Sequence, residues 1–216
     1  YEQVNDGKPA AKSSTAVSTH EPVLQNASNP TCTEDGYTGD IVCSICGEML
    51  EPGEVIPAHC ASKAFQDVDI TKWYHPYIDY VVDKGLMQGM GNGMFAPDAN
   101  MTRAQLVTVL YRMAGSPAVE DVETKFTDVE ADRYYTDAVA WAEDLGIAKG
   151  MTETQFAPEK TVSREQAAAF LYRFVTLYLE QEPGKGADLG VFKDSKVMEY
   201  AKTAMSWAVA EGFFEG

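Results

Sequence analysis

A chain of 216 residues and 23.6 kDa with 45% hydrophobic residues can bury a real core, and its composition is not that of a disordered protein. Its 17 Lys and Arg face 33 Asp and Glu, a formal charge of -16 with no basic stripe, which argues against nucleic acid or an anionic membrane surface as a partner. No run of 18 apolar residues occurs, so no membrane insertion is expected.

Residues 1–30, with Ser13, Ser14, Thr15, Ser18, Pro22 and Pro30, show little periodicity and read as a tail or linker, or at most as an edge segment borrowed by another module. Residues 31–63 hold all four cysteines in a span too small for a core of its own, so something must staple it. Cys32, Cys43, Cys46 and Cys60 follow the spacing C-x10-C-x2-C-x13-C, with His59 beside the last. The C-x2-C pair ahead of Gly47 has the form of a knuckle whose two thiolates want one structural Zn2+ and two further donors. The other reading is two disulfides, natural for an exported chain with an even cysteine count. Either way the module is structural.

From Phe65 a repeat takes over. Phe65, Phe126 and Phe192 each open a Phe-x-Asp stretch ending at Asp67, Asp128 and Asp194. Eight positions after each Phe stands an aromatic residue (Trp73, Tyr134, Tyr200), fifteen after it another (Tyr80, Trp141, Trp207), and twenty after it a glycine (Gly85, Gly146, Gly212). Trp73, Tyr77, Tyr80, Val81 and Lys84 in the first copy, and Ala138, Trp141, Ala142 and Leu145 in the second, recur at helical spacing. They predict a helix with that face turned inward and a left-handed glycine at its end.

The first two copies continue through GMGNGMFAPDANMTRAQLVTVLYR, residues 89–112, and GMTETQFAPEKTVSREQAAAFLYR, residues 150–173, in one register. An enzyme rarely needs its catalytic loop twice, whereas stacked units need the same turn in every unit. Thr102 with Gln105, and Ser163 with Gln166, predict capping boxes. These open helices whose inward stripes are Leu106, Val107, Leu110 and Met113, or Ala167, Phe170, Leu171 and Phe174. Each unit is therefore helix, Gly-Pro-rich loop, helix, with a buried Phe pinning the loop, and the units should pack on each other. The third copy has a helix at about 197–211 and reaches Gly216 before any Phe-x-Pro loop. Such a half unit is expected to leave Met205, Ala208 and Val209 partly uncovered, unless a second copy covers them as a homodimer or the N-terminal tail closes over them.

The Phe-x-Asp-Val opening, the Gly and Phe-x-Pro loop and the Thr/Ser-Arg pair before a helix resemble S-layer homology repeats. The resemblance covers residues 65–115 and 126–174 fully and 192–216 in part, giving units at 64–124, 125–190 and 191–216. It implies a mostly α, pseudo-threefold bundle on the bacterial cell surface. It further implies a non-catalytic module that anchors proteins to the cell wall by binding secondary cell-wall polysaccharide, often pyruvylated, in grooves between repeats. The cysteine segment is similar to small zinc-ribbon-like repeats of surface proteins, with Gly36 to Asp40 between the first two cysteines. There the fourth ligand is usually a His near the end, so His59 competes with Cys60 to complete a set begun by Cys32, Cys43 and Cys46.

Carried over residue by residue, the polysaccharide contacts would be Arg103 and Arg164, the preceding Thr102 and Ser163, Asp67 and Asp128, and the aromatics Trp73 and Tyr134. An arginine at the first helical position is poorly placed for the helix dipole. Beside free backbone N–H groups it makes more sense if a carboxylate or pyruvyl group visits. The bland alternatives are that the arginines staple neighbouring units, that the aromatics are core residues, and that the aspartates cap turns. The third repeat departs from the family by lacking the Arg-bearing helix and by carrying Ser195 in place of Val, so at least one groove should be absent or altered. Catalysis is not expected: His20, His59 and His75 are scattered, and no Ser sits in a Gly-x-Ser-x-Gly setting.

Overall fold

The computed structural model describes residues 20–119, 123–192 and 196–214, and the chain divides between Cys60 and Ala61 into two units. Most of the expected tail (residues 1–19), together with Asp194 and Ser195, lies outside the described residues. The first unit is built on β-structure. Strands β1 (Pro22–Gln25), β3 (Asp40–Cys43) and β4 (Met49–Glu51) form an antiparallel sheet in the order β1-β3-β4, while β2 (Gly36–Tyr37) pairs with β5 (Val55–Ile56). Residues 22–25 are thus an edge strand and not linker.

A polar residue is the hub of this small unit. Asp40, buried, accepts hydrogen bonds from the Tyr37 hydroxyl, from the Gly53 backbone N–H at 3.0 Å and from Asn26 Nδ2 at 3.4 Å. These donors, Tyr37 first, hold its carboxyl below the usual range. A disulfide joins Cys32 to Cys60 and closes a segment too short to hold itself by burial alone.

The second unit is helical: α1 (His75–Asp83), α2 (Arg103–Met113), α3 (Thr136–Asp144), α4 (Arg164–Arg173) and α5 (Lys202–Ala210). The pairs α1/α2 and α3/α4 are the two complete helix-loop-helix units, and α5 packs on α4 as α3 packs on α2. After α1, α3 and α5 the chain turns at Gly85, Gly146 and Gly212, with φ of 66°, 73° and 75°, a conformation that costs a side chain about 1 kcal/mol or more. The main core gathers α2, α3 and α4 around fully buried Val107, Val139 and Phe156. Trp141 packs on Tyr111 and Tyr178, each at 5.5 Å, and the Tyr178 hydroxyl donates to the Ala114 carbonyl at 3.1 Å, tying the segment after α4 to the end of α2.

Two expectations about faces need correction. On α1 the buried residue is Ile78, whereas Trp73, Tyr77 and Tyr80 are 80%, 65% and 58% exposed. The face predicted to turn inward is the solvent face, because both stripes of this short helix are apolar and periodicity cannot choose between them. Met113, placed on the inward stripe of α2, is also exposed. On α5, Ala208 is fully buried and Met205 and Val209 half-buried, since Ala204, Trp207 and Ala208 pack against Ala168 and Ala169 of α4. Small residues on both helices let them approach closely, so α4 covers most of the strip that seemed to want a second copy.

Candidate functional site

The duplicated loop is held by its own aspartate. Asp67 accepts from the backbone N–H groups of Phe95 and Ala96 at 2.8 and 2.7 Å, and Asp128 does the same for Phe156 and Ala157 at 2.8 and 2.7 Å. The Phe95 N–H is the main reason the Asp67 carboxyl lies below the usual carboxylate range. These bonds support a left-handed alanine in each copy, Ala96 at φ 61° and Ala157 at φ 59°. Phe65 packs on Phe95 at 5.2 Å and Phe126 on Phe156 at 5.6 Å. Gly89 and Gly150 pass so close that an added Cβ would lie 2.6 Å from Phe65 and 2.5 Å from Phe126. Both aspartates therefore spend their oxygens on turns.

Both capping boxes form, Thr102 accepting from the Gln105 N–H at 3.2 Å and Ser163 from the Gln166 N–H at 3.3 Å. The N–H groups next to Thr102 are not free, as the sequence suggested, but docked on the second repeat. Arg103 N–H donates to the Lys160 carbonyl at 2.9 Å and Ala104 N–H to the Pro158 carbonyl at 3.0 Å. The Arg103 side chain, 2% exposed, follows them: Nε donates to the Phe156 carbonyl and one terminal nitrogen to the Lys149 carbonyl, both at 2.8 Å. Its guanidinium lies 4.6 Å over the Phe156 ring and 5.1 Å from that of Phe170. Burial pushes it down to about 10, still charged at neutral pH. A cation at a helix start is tolerated here because it faces carbonyl dipoles of the neighbouring repeat. Arg164 and Ser163, its counterparts, are exposed.

Beside this joint the first and second repeats enclose a groove of about 600 Å3. Thr102, Gln105 and Arg112 line it from the first repeat, and Arg133, Tyr134 and Glu159 from the second. Of the expected contacts it brings together Thr102 and Tyr134, and burial raises the Tyr134 phenol. Arg103, Asp67, Asp128, Trp73, Ser163 and Arg164 lie elsewhere. Arg112 and Arg133 escaped the sequence reading. A signal for Arg112 was present: Leu-Tyr-Arg recurs at 110–112 and 171–173, and both arginines donate to the exit of the preceding helix, Arg112 to the Leu86 carbonyl at 3.0 Å and Arg173 to that of Ile147 at 3.3 Å.

In the first unit the five candidate metal ligands separate. Cys32 and Cys60 are spent in the disulfide, and exposed His59, whose backbone N–H donates to the Thr31 carbonyl at 3.1 Å, stands outside the cluster of Cys43 and Cys46. Cys43 and Cys46 are thiols, and a histidine outside the expected set, His20, joins them in a cluster compatible with metal coordination. The thiol of Cys43 is lowered to about 6, chiefly by the Cys46 backbone N–H.

The S-layer homology domain model matches residues 64–107 and 125–168, the segments that carry the two loops and capped helices described above. The chain is 34% identical over 168 residues to the surface-layer 125 kDa protein of Lysinibacillus sphaericus, covering 77% of this chain and 14% of that protein. It is 30% identical over 175 residues to the S-layer protein sap of Bacillus anthracis, covering 80% and 21%, and 29% identical over 163 residues to a cellulosome-anchoring protein of Acetivibrio thermocellus, covering 72% and 35%. The chain thus spans about a third or less of the length of these relatives. Among the described residues no helix is long and apolar enough to cross a membrane. Residues 64–107 and 125–168 are thus two successive segments similar to the S-layer homology domain.

Proposed function

We propose that the helical unit is a cell-surface anchor that holds a protein to the bacterial wall by binding secondary cell-wall polysaccharide, with α5 belonging to a partial third repeat. The observation that carries this reading is the groove between the two matched repeats. It sets two guanidinium groups, Arg112 and Arg133, beside the phenol of Tyr134 and the amide of Gln105 in a chain of charge -16. Long-range attraction to an anionic polymer is absent, so binding rests on short-range contacts. A guanidinium can grip a carboxylate or pyruvyl ketal through two parallel hydrogen bonds, and an exposed aromatic can stack on a sugar face. Thr102 and Tyr134 serve this groove; Ser163, Arg164 and Trp73, all exposed, are further contacts of the same kind on neighbouring faces.

Co-sedimentation with purified wall polysaccharide, with and without its pyruvyl groups, tests the proposal. The intact chain should bind the pyruvylated polymer more tightly. Arg133→Ala, at an exposed position, should weaken binding about tenfold, the loss of one charge-assisted contact, with unchanged circular dichroism. Failure of the intact chain to bind either polymer would leave a structural or protein-interaction module of the same fold.

A further inference from the structure

We propose that His20, Cys43 and Cys46 form a metal site of their own, for zinc or a similarly soft divalent ion, with Glu48 orienting the imidazole from outside. The site is assembled by the sheet. Cys43 ends β3 and Cys46 follows in a tight turn closed by the Gly47 N–H on the Cys43 carbonyl at 2.8 Å, with Gly47 at φ 73°. Pro22 of β1 lies opposite Cys43 in the ladder, and the Ser44 N–H donates to the Glu21 carbonyl at 2.9 Å. Those two pairings bring His20 onto the knuckle.

The donors stand close enough together to share one ion. The three donor atoms all lie within 4.8 Å of one another, and His20 Nδ1 stands 3.5 Å from Cys46 Sγ. A tetrahedral zinc site with Zn–S of about 2.3 Å and Zn–N of about 2.0 Å requires an N···S edge of about 3.5 Å. The other imidazole nitrogen, Nε2, faces Glu48 Oε2 at 3.6 Å, the carboxylate–histidine arrangement that fixes the tautomer of a metal-binding ring. Two thiolates neutralise a divalent ion, and the sulfur and imidazole donors favour zinc over calcium or magnesium. His20 and Cys46 are exposed, so the fourth position opens on solvent. The Cys32–Cys60 disulfide takes no part in this donor set, so one module uses its four cysteines in two chemistries.

Cobalt(II) titration of the full chain, without reductant so that the disulfide stays intact, tests the proposal. One equivalent should bind with a thiolate charge-transfer band and the intense visible bands of tetrahedral cobalt, and zinc should displace it. His20→Ala and Cys46→Ser should abolish that spectrum, and Glu48→Gln should weaken binding about tenfold. In the unmodified chain zinc should protect Cys43 and Cys46 from alkylation, a readout independent of how any variant folds. A chain with two titratable thiols that takes up no cobalt, alkylation indifferent to zinc, or a Cys43–Cys46 disulfide in the purified protein would each overturn the assignment.

Discussion

Arg103 and Arg164 occupy the same position in two copies of one motif, after a capping hydroxyl and before an apolar helix, yet one is 2% exposed and the other stands in solvent. Four local features are shared by both copies: the capping box, the Asp-held loop, the left-handed alanine, the glycine against the Phe ring. What differs is the neighbour. The start of α2 docks on carbonyls of Lys149, Phe156, Pro158 and Lys160, all from the following repeat. A repeat sequence therefore encodes its own geometry, and the next unit decides whether a given side chain is a staple or a surface group.

The sharpest way to break this comparison is to remove the two arginines in turn. Arg103→Ala should cost about 3 kcal/mol, because it leaves buried carbonyls without donors and a void between two Phe rings. Arg164→Ala should stay within about 0.5 kcal/mol, as for an ordinary exposed position. Chemical denaturation followed by Trp fluorescence would measure both. Equal losses would mean that the counterpart of the docking exists for α4 as well.

What was legible in the sequence divides along the same line. Thr102 with Gln105 and the glycine after each first helix were readable because their partners lie within one repeat and act through the backbone, and Asp67 was readable as a turn cap though not as the holder of the Phe-x-Pro loop. The burial of Arg103 was not, because its acceptors are main-chain carbonyls some fifty residues away whose side chains say nothing about them. The outward turn of Trp73, Tyr77 and Tyr80 was missed for a related reason: apolar spacing marks a face but not the side on which the core lies. In the cysteine module the spacing identified the knuckle, while His20 reached it through strand pairing, which no local motif records.

The aspartates give a second, smaller test. Asp128→Ala removes an acceptor shared by two N–H groups and should cost about 2 kcal/mol. For Asp67 the sign of the pH dependence follows from its lowered carboxyl. Its contribution is complete above the ordinary aspartate value of about 4 and is lost as pH falls through the lower folded value. Hydrogen exchange at the Phe95 and Ala96 amides should show protection that steps down on acidification, and Asp67→Asn should flatten that step. A step that survives in Asp67→Asn would move the titrating group elsewhere.

The smallest expected effect is also the cleanest check on equivalence. Ala96 and Ala157 hold φ values of 61° and 59°, where a Cβ costs about 1 kcal/mol relative to glycine. Replacing either with Gly relieves that strain and raises the entropy of the unfolded chain, a partial offset that is reduced because Pro97 and Pro158 already restrict the residue before them. Each substitution should therefore stabilise the unit by about 0.5 kcal/mol, and by the same amount in both copies. Equality is the point, since the Asp-held turn is set inside each repeat and should not sense what lies beside it. A difference approaching 1 kcal/mol between Ala96→Gly and Ala157→Gly would show that docking on Arg103 reaches back through the Phe156 carbonyl into the turn, and that even this part of the repeat is tuned by its neighbour.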